Sequence, residues 1–547
     1  MIEDYEEFSE GQLKILNHYV TNTTSNVFVL KNLPEVIKGA LFSRYSRSAL
    51  GLRSLLLKDF ILNEETNFGA ISGLSSEEDT LDSQQQSVAI KKAQNFYDRI
   101  LDGYGDDSIG ELGGAHLALE NISMLAAKAV EDCRIGGSPL EKSTRYIYFD
   151  QKLKGEYLFF REPILMTSAY RELYVNTCNY LFDCYSKLIA PLTEVMEQKF
   201  PKDPSISQGA YTAAMRAKVL DCLRGLLPAS TLTNMGVYGN GRFFEKWLQK
   251  SEASSLTEFQ DMAKKSYQEL SSVIPSFIRR AEPSHYSYKN FQQFTQQLDQ
   301  NLSNVSKHHV GSLGKMQKPG VRLVHYDPTS PAKVAAALLF PHSDRGLLEL
   351  EAYCQTLSQE ALSEILEAAS GVRDNRRHKS PRALEHATFT FEMLADFGVY
   401  RDLQRHRMLT QDRQLLTCDF SYYLPEELIG TSMGETYMEA MEVAKKAFDT
   451  IVQEFPEEAQ YVVPMAYNIH WYFHVNLRSL QWLCELRSSP AGHPGYRRIA
   501  QELASQVSSV CPFFETFFKF VDYEGYDLGR LNQEIRSHQK KEQLNSN

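Results

Sequence analysis

A chain of 547 residues is longer than one ordinary domain of ~100–200 residues, so two or more domains are expected. The composition, 43% hydrophobic and 23% charged, is that of a globular protein, and no apolar run reaches the ~18 residues that span a bilayer. The net charge of −11 argues against broad binding to a nucleic-acid backbone, and the acidic start MIEDYEEFSEGQ does not resemble a signal peptide. We therefore expect a cytoplasmic protein with neither a nucleic-acid nor a membrane partner.

Helices, strands and loops alternate along the chain without a regular βαβ repeat, which favours an α+β fold. Polar stretches at 63–88 and 297–320 are predicted to be loop or linker, and the last dozen residues a fraying polar tail. The runs RYIYFD (145–150) and VRLVHY (321–326) predict strands. Apolar residues at helical spacing predict helices over 166–200, 210–226, 256–280, 346–369 and 434–455.

The two halves of the chain repeat the same features in the same order, which indicates a tandem duplication. VFVLKNLPEVIKGALF (27–42) and VRLVHYDPTSPAKVAAALLF (321–340) each predict a strand, a turn and a helix. Later in each half a proline, Pro228 or Pro464, precedes an Asn-x-Arg sequence at the same distance.

Between these markers each half is predicted to contain a helical run entered through a glutamate, at Glu111 in the first and Glu385 in the second. We predict a first copy over 1–296, a linker over 297–320 and a second copy over 321–547.

The eight cysteines are scattered and form no CxxC pair, which suits a reducing compartment and argues against structural zinc. No set of His, Asp and Glu falls at ligand spacing, so no metal site is predicted. A lone cysteine in a helix, such as Cys133, is expected to fill core space, although a nucleophilic role is the alternative.

Arginines cluster in the second copy at Arg401, Arg405, Arg407 and Arg413, against the acidic background of the chain. Such a cluster suits one small anion, and the triplet Arg405-His406-Arg407 brings together the charge-assisted donors that a pyrophosphate needs. Surface ion pairs with neighbouring acidic residues are the alternative. The sequence HPGYRR (493–498) either extends the anion site or forms a turn with a basic edge.

The segment LEHATFTF, the Arg-His-Arg triplet and the later NLRSLQWLCELR together resemble the flavin-dependent thymidylate synthases. The resemblance implies an α+β fold with a mixed sheet and long helices, here as two tandem copies that form a pseudo-dimer. It also implies FAD as cofactor, bound by Arg405, His406, Arg407, His386, Thr410, Asn476 and Arg478.

The second copy departs from the rest of the family motif, which asks for Ser, Glu, Ser and Arg-Tyr. Thr410 can replace the first serine, but Arg413, Leu415 and Thr417 occupy the later positions. Because Leu415 cannot form hydrogen bonds through its side chain, this copy is not expected to hold a nucleotide phosphate by itself.

The first copy keeps the motif that the second has lost. The resemblance implies that its loop binds dUMP through Ser138, Glu141, Ser143, Arg145 and Tyr146, with Arg487 reaching in from the second copy. Ser143, Arg145 and Arg487 are the implied catalytic residues. For the two serines, capping of a turn is the alternative. The place of the Arg-His-Arg triplet is taken either by Cys133-Arg134-Ile135 or, if Gly136-Gly137 hides an insertion, by Asp132-Cys133-Arg134.

The resemblance therefore implies a composite site between the copies, and a homodimer that rebuilds the family's tetramer as a pseudo-tetramer. The implied reaction is the reductive methylation of dUMP to dTMP, with methylenetetrahydrofolate as carbon donor and NADPH as reductant of the flavin. The main alternative is a non-catalytic or repurposed flavin- or nucleotide-binding paralogue. A flavin-dependent reaction on a pyrimidine within RNA is a third possibility, which the acidic charge disfavours.

Overall fold

The computed structural model describes residues 7–46, 48–61, 110–311, 313–314 and 318–546, so the loop predicted over 63–88 lies outside the described residues. Within this part of the chain, no helix is both long and apolar enough to cross a membrane. Two compact units are present: the first comprises Met1–Leu119, Ile135–Leu140 and Met235–Ser312, and the second Glu120–Arg134, Glu141–Asn234 and Leu313–Asn547. Their limits differ from those of the predicted copies, whose boundaries stay a prediction.

Helices are the main regular secondary structure of the described residues. In chain order they are α1 (Glu10–Tyr19), α2 (Glu35–Tyr45), α3 (Leu52–Leu55), α4 (Met124–Glu131), α5 (Pro163–Thr167), α6 (Arg171–Lys199), α7 (Gln208–Leu223), α8 (Gly241–Glu252), α9 (Thr257–Leu270), α10 (Tyr286–His309), α11 (Ser330–Leu339), α12 (Leu347–Gln355), α13 (Gln359–Ser370), α14 (Phe397–Leu403), α15 (Ser432–Ile451), α16 (Leu477–Arg487), α17 (Pro494–Val510) and α18 (Leu531–Ser546). A π-helix over Leu56–Ile61 continues α3.

The strands form two larger sheets and one hairpin. They are β1 (Gly114–Ser123), β2 (Gly137–Glu141), β3 (Lys152–Leu153), β4 (Glu156–Tyr157), β5 (Leu232–Asn240), β6 (Gly320–Tyr326), β7 (Thr388–Asp396), β8 (Thr410–Arg413) and β9 (Asn468–Asn476). One sheet has the order β1-β5-β2 and the other β6-β7-β9-β8, while β3 and β4 pair as the hairpin. In the four-stranded sheet all neighbours are antiparallel, with Thr388 opposite Asn476 at one end of the central pair.

Most of the predicted helices and the strand over 321–326 are confirmed, as α6, α7, α15 and β6. The predicted helix over 346–369 is two helices, because Ser358 caps the start of α13 and interrupts the run. Similarly, the helix predicted over 256–280 ends at Leu270, ahead of a 3₁₀ turn that begins with Pro275.

Two predictions about the motif-bearing segments are wrong. The runs after Glu111 and Glu385 are strands, β1 and β7, each followed by a short helix. In TFTFEM every second side chain is buried, which is the two-residue period of a strand. A few apolar residues in the segment also fall at helical spacing, and this coincidence led to the wrong prediction. Residues 145–150 form turns and extended chain instead of a strand.

The polar stretches between and after the copies are also more regular than predicted. Residues 297–309 belong to helix α10 and are not an irregular loop, while their role as a linker stays a prediction; the C-terminal tail forms most of helix α18. The tail is rich in Gln, Lys and Glu, which are good helix formers, whereas residues 297–309 carry Leu298, Leu302 and Val305 at helical spacing.

Within the second unit, the two proline markers meet. Pro228 and Pro464 form an antiparallel bridge. The backbone N–H of Ala229 donates to the carbonyl of Val463 at 2.9 Å, and the reciprocal bond runs from Met465 to the residue before Pro228, also at 2.9 Å. Because equivalent residues exchange equivalent bonds, the two copies are related by a local twofold axis at this point.

The copies also match in their local hydrogen bonds. Asn240 and Asn476 cap α8 and α16, each accepting a bond at 2.9 Å from the backbone N–H three residues on. Helices α4 and α14 begin at Met124 and Phe397, whose N–H groups donate at 3.0 Å to carbonyls at equivalent points of the two copies. The triplet Asp132-Cys133-Arg134 begins eight residues after the first residue of α4, and the Arg-His-Arg triplet begins eight residues after the first residue of α14. The two triplets therefore occupy equivalent positions, which is the alignment with an insertion at Gly136-Gly137.

Candidate active site

One cavity of about 600 Å³ lies in the second unit, between the Arg-His-Arg turn and helix α16. Its cationic lining consists of six arginines and a lysine, namely Arg373, Arg376, Arg405, Arg407, Arg478, Arg487 and Lys379. Apolar surface is supplied by Trp482, Met408 and Leu409, among others. A volume of this size is typical of a site for a small ligand.

The two acidic residues of the lining are both paired with arginine. The Arg478 guanidinium donates to Glu385 at 2.8 Å, and Arg373 makes two bonds to Glu485, at 2.9 and 2.8 Å. These ion pairs neutralise four of the charged residues of the lining. Of the remaining cations, Arg405 pairs with Glu131 and Glu141 behind the lining. Arg376, Arg407, Arg487 and Lys379 have no carboxylate partner among the described lining residues, so the cavity favours an anion.

Glu141, on the loop predicted to bind dUMP, is buried in a cluster of cations. Its carboxylate lies 2.8 Å from the Lys128 ammonium, 2.6 Å from the Arg401 guanidinium and 3.4 Å from that of Arg405. Burial opposes ionisation, but these cations outweigh it and lower the pKa of Glu141 to about 2. A direct hydrogen bond from Glu141 to a nucleotide would require these ion pairs to open, and its substrate role stays a prediction.

His406 faces Arg487 in the cavity wall. Burial and the Arg487 charge lower the pKa of His406 to about 3, so the ring is neutral near pH 7. The Arg487 Nε donates to His406 Nε2 at 3.1 Å, which leaves the proton of the neutral ring on Nδ1. His406 therefore holds the arginine in place without adding a second positive charge.

Tyr496 connects the loop of the first copy to this cavity wall. The Arg145 guanidinium lies 5.8 Å from the centre of the Tyr496 ring and donates to its hydroxyl at 3.1 Å. Arg487 lies 5.4 Å from the centre of the same ring. Arg145 also donates twice to the carboxylate of Asp221, at 2.6 and 2.7 Å, and is itself buried. Residues predicted from opposite copies to bind dUMP thus meet within one chain.

Of the three other predicted residues of the loop, Ser143 and Tyr146 each have a hydrogen-bond partner. Ser143 is partly exposed, and its Oγ accepts the backbone N–H of Arg145 at 3.2 Å. Tyr146 is covered by Arg530, whose guanidinium lies 4.1 Å from the centre of its ring and donates to its hydroxyl. Ser138 lies in strand β2, in the first unit.

The predicted flavin residues separate into two groups. Arg405, His406, Arg407, Asn476 and Arg478 all line the cavity described above. His386 is exposed and lines an adjoining cavity beside Pro341 and His342, and Thr410 is exposed at the start of β8. The roles of His386 and Thr410 in flavin binding stay predictions.

Residues 63–276 and 322–513 each match the model of one family, described as thymidylate synthase complementing protein. The chain belongs to the thymidylate synthase complementing protein family. The two matched regions confirm the tandem architecture that the repeated markers predict, and the mixture of helices and sheets confirms the α+β fold.

The relatives of the chain fall into two groups. A UPF0159 protein of Chlamydia pneumoniae is 54% identical over 98% of this chain and 99% of its own length. A UPF0159 protein of Thermoplasma acidophilum is 33% identical over 92% of this chain and 99% of its own length. A flavin-dependent thymidylate synthase of Clostridium tetani is 28% identical over 36% of this chain and 86% of its own length. The synthase therefore corresponds in length to about one copy of this family's module.

Several residues of the site carry no family motif. Lys128 and Asp221 pair with the motif residues Glu141 and Arg145, and Arg373 pairs with Glu485. No spacing in the motifs reveals these pairs. Tyr496 lies in HPGYRR, which sequence reasoning left open between an anion site and a turn. His493 caps α17 and residues 494–498 form the start of that helix, while Tyr496 contacts Arg145. An extension of the anion site by this segment stays a prediction.

The donor set of the cavity fits a dinucleotide such as FAD. The Oγ of Ser380 is buried and has no hydrogen-bond partner within the described residues, whereas Arg405 Nε lies 3.6 Å from the Glu131 carboxylate. A buried donor without an acceptor is costly, and a ligand phosphate would supply the missing acceptor. The Trp482 ring and the adjacent apolar side chains offer surface to a flat heterocycle.

Proposed function

We propose that the chain is a flavin-dependent thymidylate synthase that converts dUMP to dTMP at a composite site between its two copies. The observation that carries the proposal is the Tyr496 ring, which bridges Arg145 of the first copy and Arg487 of the second beside the cationic cavity. The family and the synthase relative support the same reaction class.

FAD would be held by Arg405, Arg407, Asn476 and Arg478, with Trp482 beside it. When bound, the flavin accepts two electrons from NADPH and supplies them to the transferred carbon. The cavity residues orient the cofactor and neutralise its pyrophosphate, a task suited to planar guanidinium groups.

The substrate dUMP would lie beside Ser143, with its negative charge balanced by Arg487 and, through Tyr496, by Arg145. In the overall reaction the methylene carbon of methylenetetrahydrofolate bonds to C5 of dUMP, and the C5 hydrogen leaves as a proton. The two electrons from NADPH reduce the new group to a methyl, and tetrahydrofolate leaves. A fixed guanidinium near the uracil carbonyl stabilises charge that develops on the ring.

A repurposed flavin- or nucleotide-binding protein is the second candidate. It is favoured by the enclosed carboxylate of Glu141, which Lys128 and Arg401 neutralise, and by Leu415 at a serine position of the motif. Such a protein would bind flavin in the same cavity and release no hydrogen from C5 of dUMP.

The test is tritium release from 5-tritiated dUMP by the purified full chain, supplied with FAD, NADPH and methylenetetrahydrofolate. Release that depends on both NADPH and the folate is expected. A protein that binds flavin and responds to dUMP without release would instead support the second candidate.

Flavin binding itself is tested with Arg407→Ala, because the Arg407 side chain is exposed and its loss should leave the fold intact. Loss of a charge-assisted contact worth ~1.5–3 kcal/mol should weaken flavin binding by roughly tenfold or more. Arg345→Ala removes another exposed arginine that pairs only with Asp344 and serves as the control. Equal flavin affinities in the two variants would reject the cavity as the flavin site.

A further inference from the structure

Helix α10 projects from the first unit. Its N-terminal turns contact α8, whereas every residue from 296 to 311 is exposed. None of the 24 residues of the helix is buried. A helix in this position would ordinarily be polar on all sides.

One face of α10 is instead apolar. Phe291, Phe294, Leu298, Leu302 and Val305 recur at intervals of three or four residues and therefore lie along a single stripe. The last four are 63, 44, 60 and 55% exposed. Together these five residues form the apolar stripe of α10.

The projecting part of α10 is a weak helix by its own sequence. Residues 296–309 (QQLDQNLSNVSKHH) are rich in Asn, Ser and His and include Asp299 and Val305, all of which lower helix propensity. Isolated helices shorter than ~12–15 residues are marginal in water even with favourable sequences. Packing of the apolar stripe against another surface would stabilise the helix and remove its apolar side chains from water.

We propose that the apolar stripe is covered by the same stripe of a second copy of the chain, so that two α10 helices pair across a twofold axis. The polar residues beside the stripe, Thr295 and Asn301 among them, are mostly uncharged, while Lys289 and Lys307 fall on the opposite face. Charged residues beside an apolar seam favour a partner helix of opposite charge and disfavour an identical helix. Because few charged residues flank this stripe, an identical helix can pair with it. This inference does not depend on the proposed function.

The length of the stripe is sufficient for a specific interface. At ~1.5 Å per residue the helix is about 36 Å long. Five apolar side chains per copy, with the polar residues beside them, cover an area on the order of the ~1,000 Å² that a specific interface buries in total. Because the chain carries a net charge of −11, a seam of low charge is also where two copies repel least.

The first test is the solution mass of the full chain by light scattering after gel filtration. The wild type is expected at twice the chain mass of 62.5 kDa, which the pseudo-tetramer implied by the family resemblance also predicts. The double variant Leu298→Glu with Leu302→Glu separates the two arrangements, and it is expected at the single mass. Gln296→Glu with Gln300→Glu adds the same charge on the opposite face and should remain dimeric. A monomeric wild type, or a double variant that stays as dimeric as the control, would overturn the proposal.

Cross-linking provides a readout that does not require a disruptive substitution. Val305→Cys places a thiol on the stripe and Ser303→Cys one on the far face, while all eight native cysteines are buried. A short bismaleimide should join two copies through residue 305 and leave the residue-303 variant as single chains. Equal yields from the two variants would overturn the pairing of the stripes.

Discussion

Pro228 and Pro464 lie opposite each other in an antiparallel bridge, and their neighbours exchange N–H···O=C bonds of 2.9 Å in both directions. The two prolines are equivalent residues of the two copies, so the contact defines a local twofold axis. The axis relates Asp132 to Arg405. A carboxylate would repel a pyrophosphate at the point where the guanidinium attracts one, and the two copies are therefore not interchangeable.

This asymmetry predicts one flavin per chain. In the first unit the carbonyl of Gly136 accepts the backbone N–H of Asn240 at 3.0 Å, and a Cβ added to Gly137 would lie 2.4 Å from the Phe243 ring. The chain thus packs closely over the start of α8, whereas Asn476, the counterpart of Asn240, lines an open cavity. Flavin released by denaturation should equal the chain concentration, and a ratio near two would contradict the asymmetry.

The same two asparagines provide a matched pair of variants. Asn476→Ala and Asn240→Ala each remove one helix cap and should each cost about 1 kcal/mol of unfolding free energy. Only Asn476→Ala should weaken flavin binding, which is measured by titration with FAD. If both variants weaken it equally, the effect reflects general destabilisation and the assignment of the cavity fails.

Ser143→Ala should weaken the binding of dUMP without changing the binding of flavin. The hydroxyl lies on the loop of the first copy and does not belong to the lining of the cationic cavity, so flavin affinity should be unchanged. The change in the flavin absorption spectrum on addition of dUMP should disappear or need at least about tenfold more dUMP, because a hydrogen bond to a charged group is worth ~1.5–3 kcal/mol. A wild-type dUMP titration would exclude Ser143 from the nucleotide site.

We expect Arg530 to stabilise the same loop, although in sequence it lies beyond residue 513, where the region matched by the family model ends. Arg530 is 9% exposed, its guanidinium lies 4.1 Å from the centre of the Tyr146 ring, and it also pairs with Glu534. Arg530→Ala should weaken dUMP binding by about two- to 30-fold, the range of a cation–π contact of ~0.5–2 kcal/mol, and leave flavin affinity unchanged.

Two further variants distinguish loss of the contact with Tyr146 from a general structural defect. Arg530→Lys preserves the charge over the ring and should recover part of the dUMP affinity, which a purely structural defect would not. Glu534→Gln removes the ion pair within α18 without removing the cation from Tyr146, and should bind dUMP like the wild type. A dUMP affinity unchanged in Arg530→Ala would show that the contact with Tyr146 does not support the site.

The stability of the chain should fall in acid. Burial and nearby Arg224 lower the pKa of His493 to about 3, so the folded chain keeps this ring neutral where the unfolded chain protonates it. The unfolding free energy therefore decreases as the pH falls from the ordinary histidine pKa of ~6.5 toward 3, by up to about 1.4 kcal/mol per pH unit. His406 acts in the same direction.

His493→Asn tests this dependence. Asparagine can accept the Gly495 N–H that His493 Nδ1 accepts at 3.0 Å, so the cap is kept while the titrating group is lost. Between pH 7 and 5 the variant should lose about 2 kcal/mol less unfolding free energy than the wild type in urea denaturation. The same loss in both proteins would contradict a neutral His493 in the folded chain.

The sequence by itself determined the duplication, the α+β class and the membership of the family, because these depend on residue order: the proline and Asn-x-Arg markers, the Arg-His-Arg triplet and the Ser…Glu-x-Ser-x-Arg-Tyr loop. It also indicated most helices, whose apolar period is local. Strands β1 and β7 were predicted as helices, because a short alternating run and a helical run share many apolar positions. Pairing with a neighbouring strand, as β7 pairs with β9, determines which structure forms.

Only the tertiary structure decided which parts of the two copies meet. The bonds at the starts of α4 and α14 aligned Asp132 with Arg405, which the sequence left open because an insertion leaves no mark in a single chain. The contact of Arg145 with Tyr496 and the ion pair of Glu141 with Arg401 join residues that are far apart in sequence. Such contacts follow from packing about the local twofold axis, and no spacing along the chain encodes them.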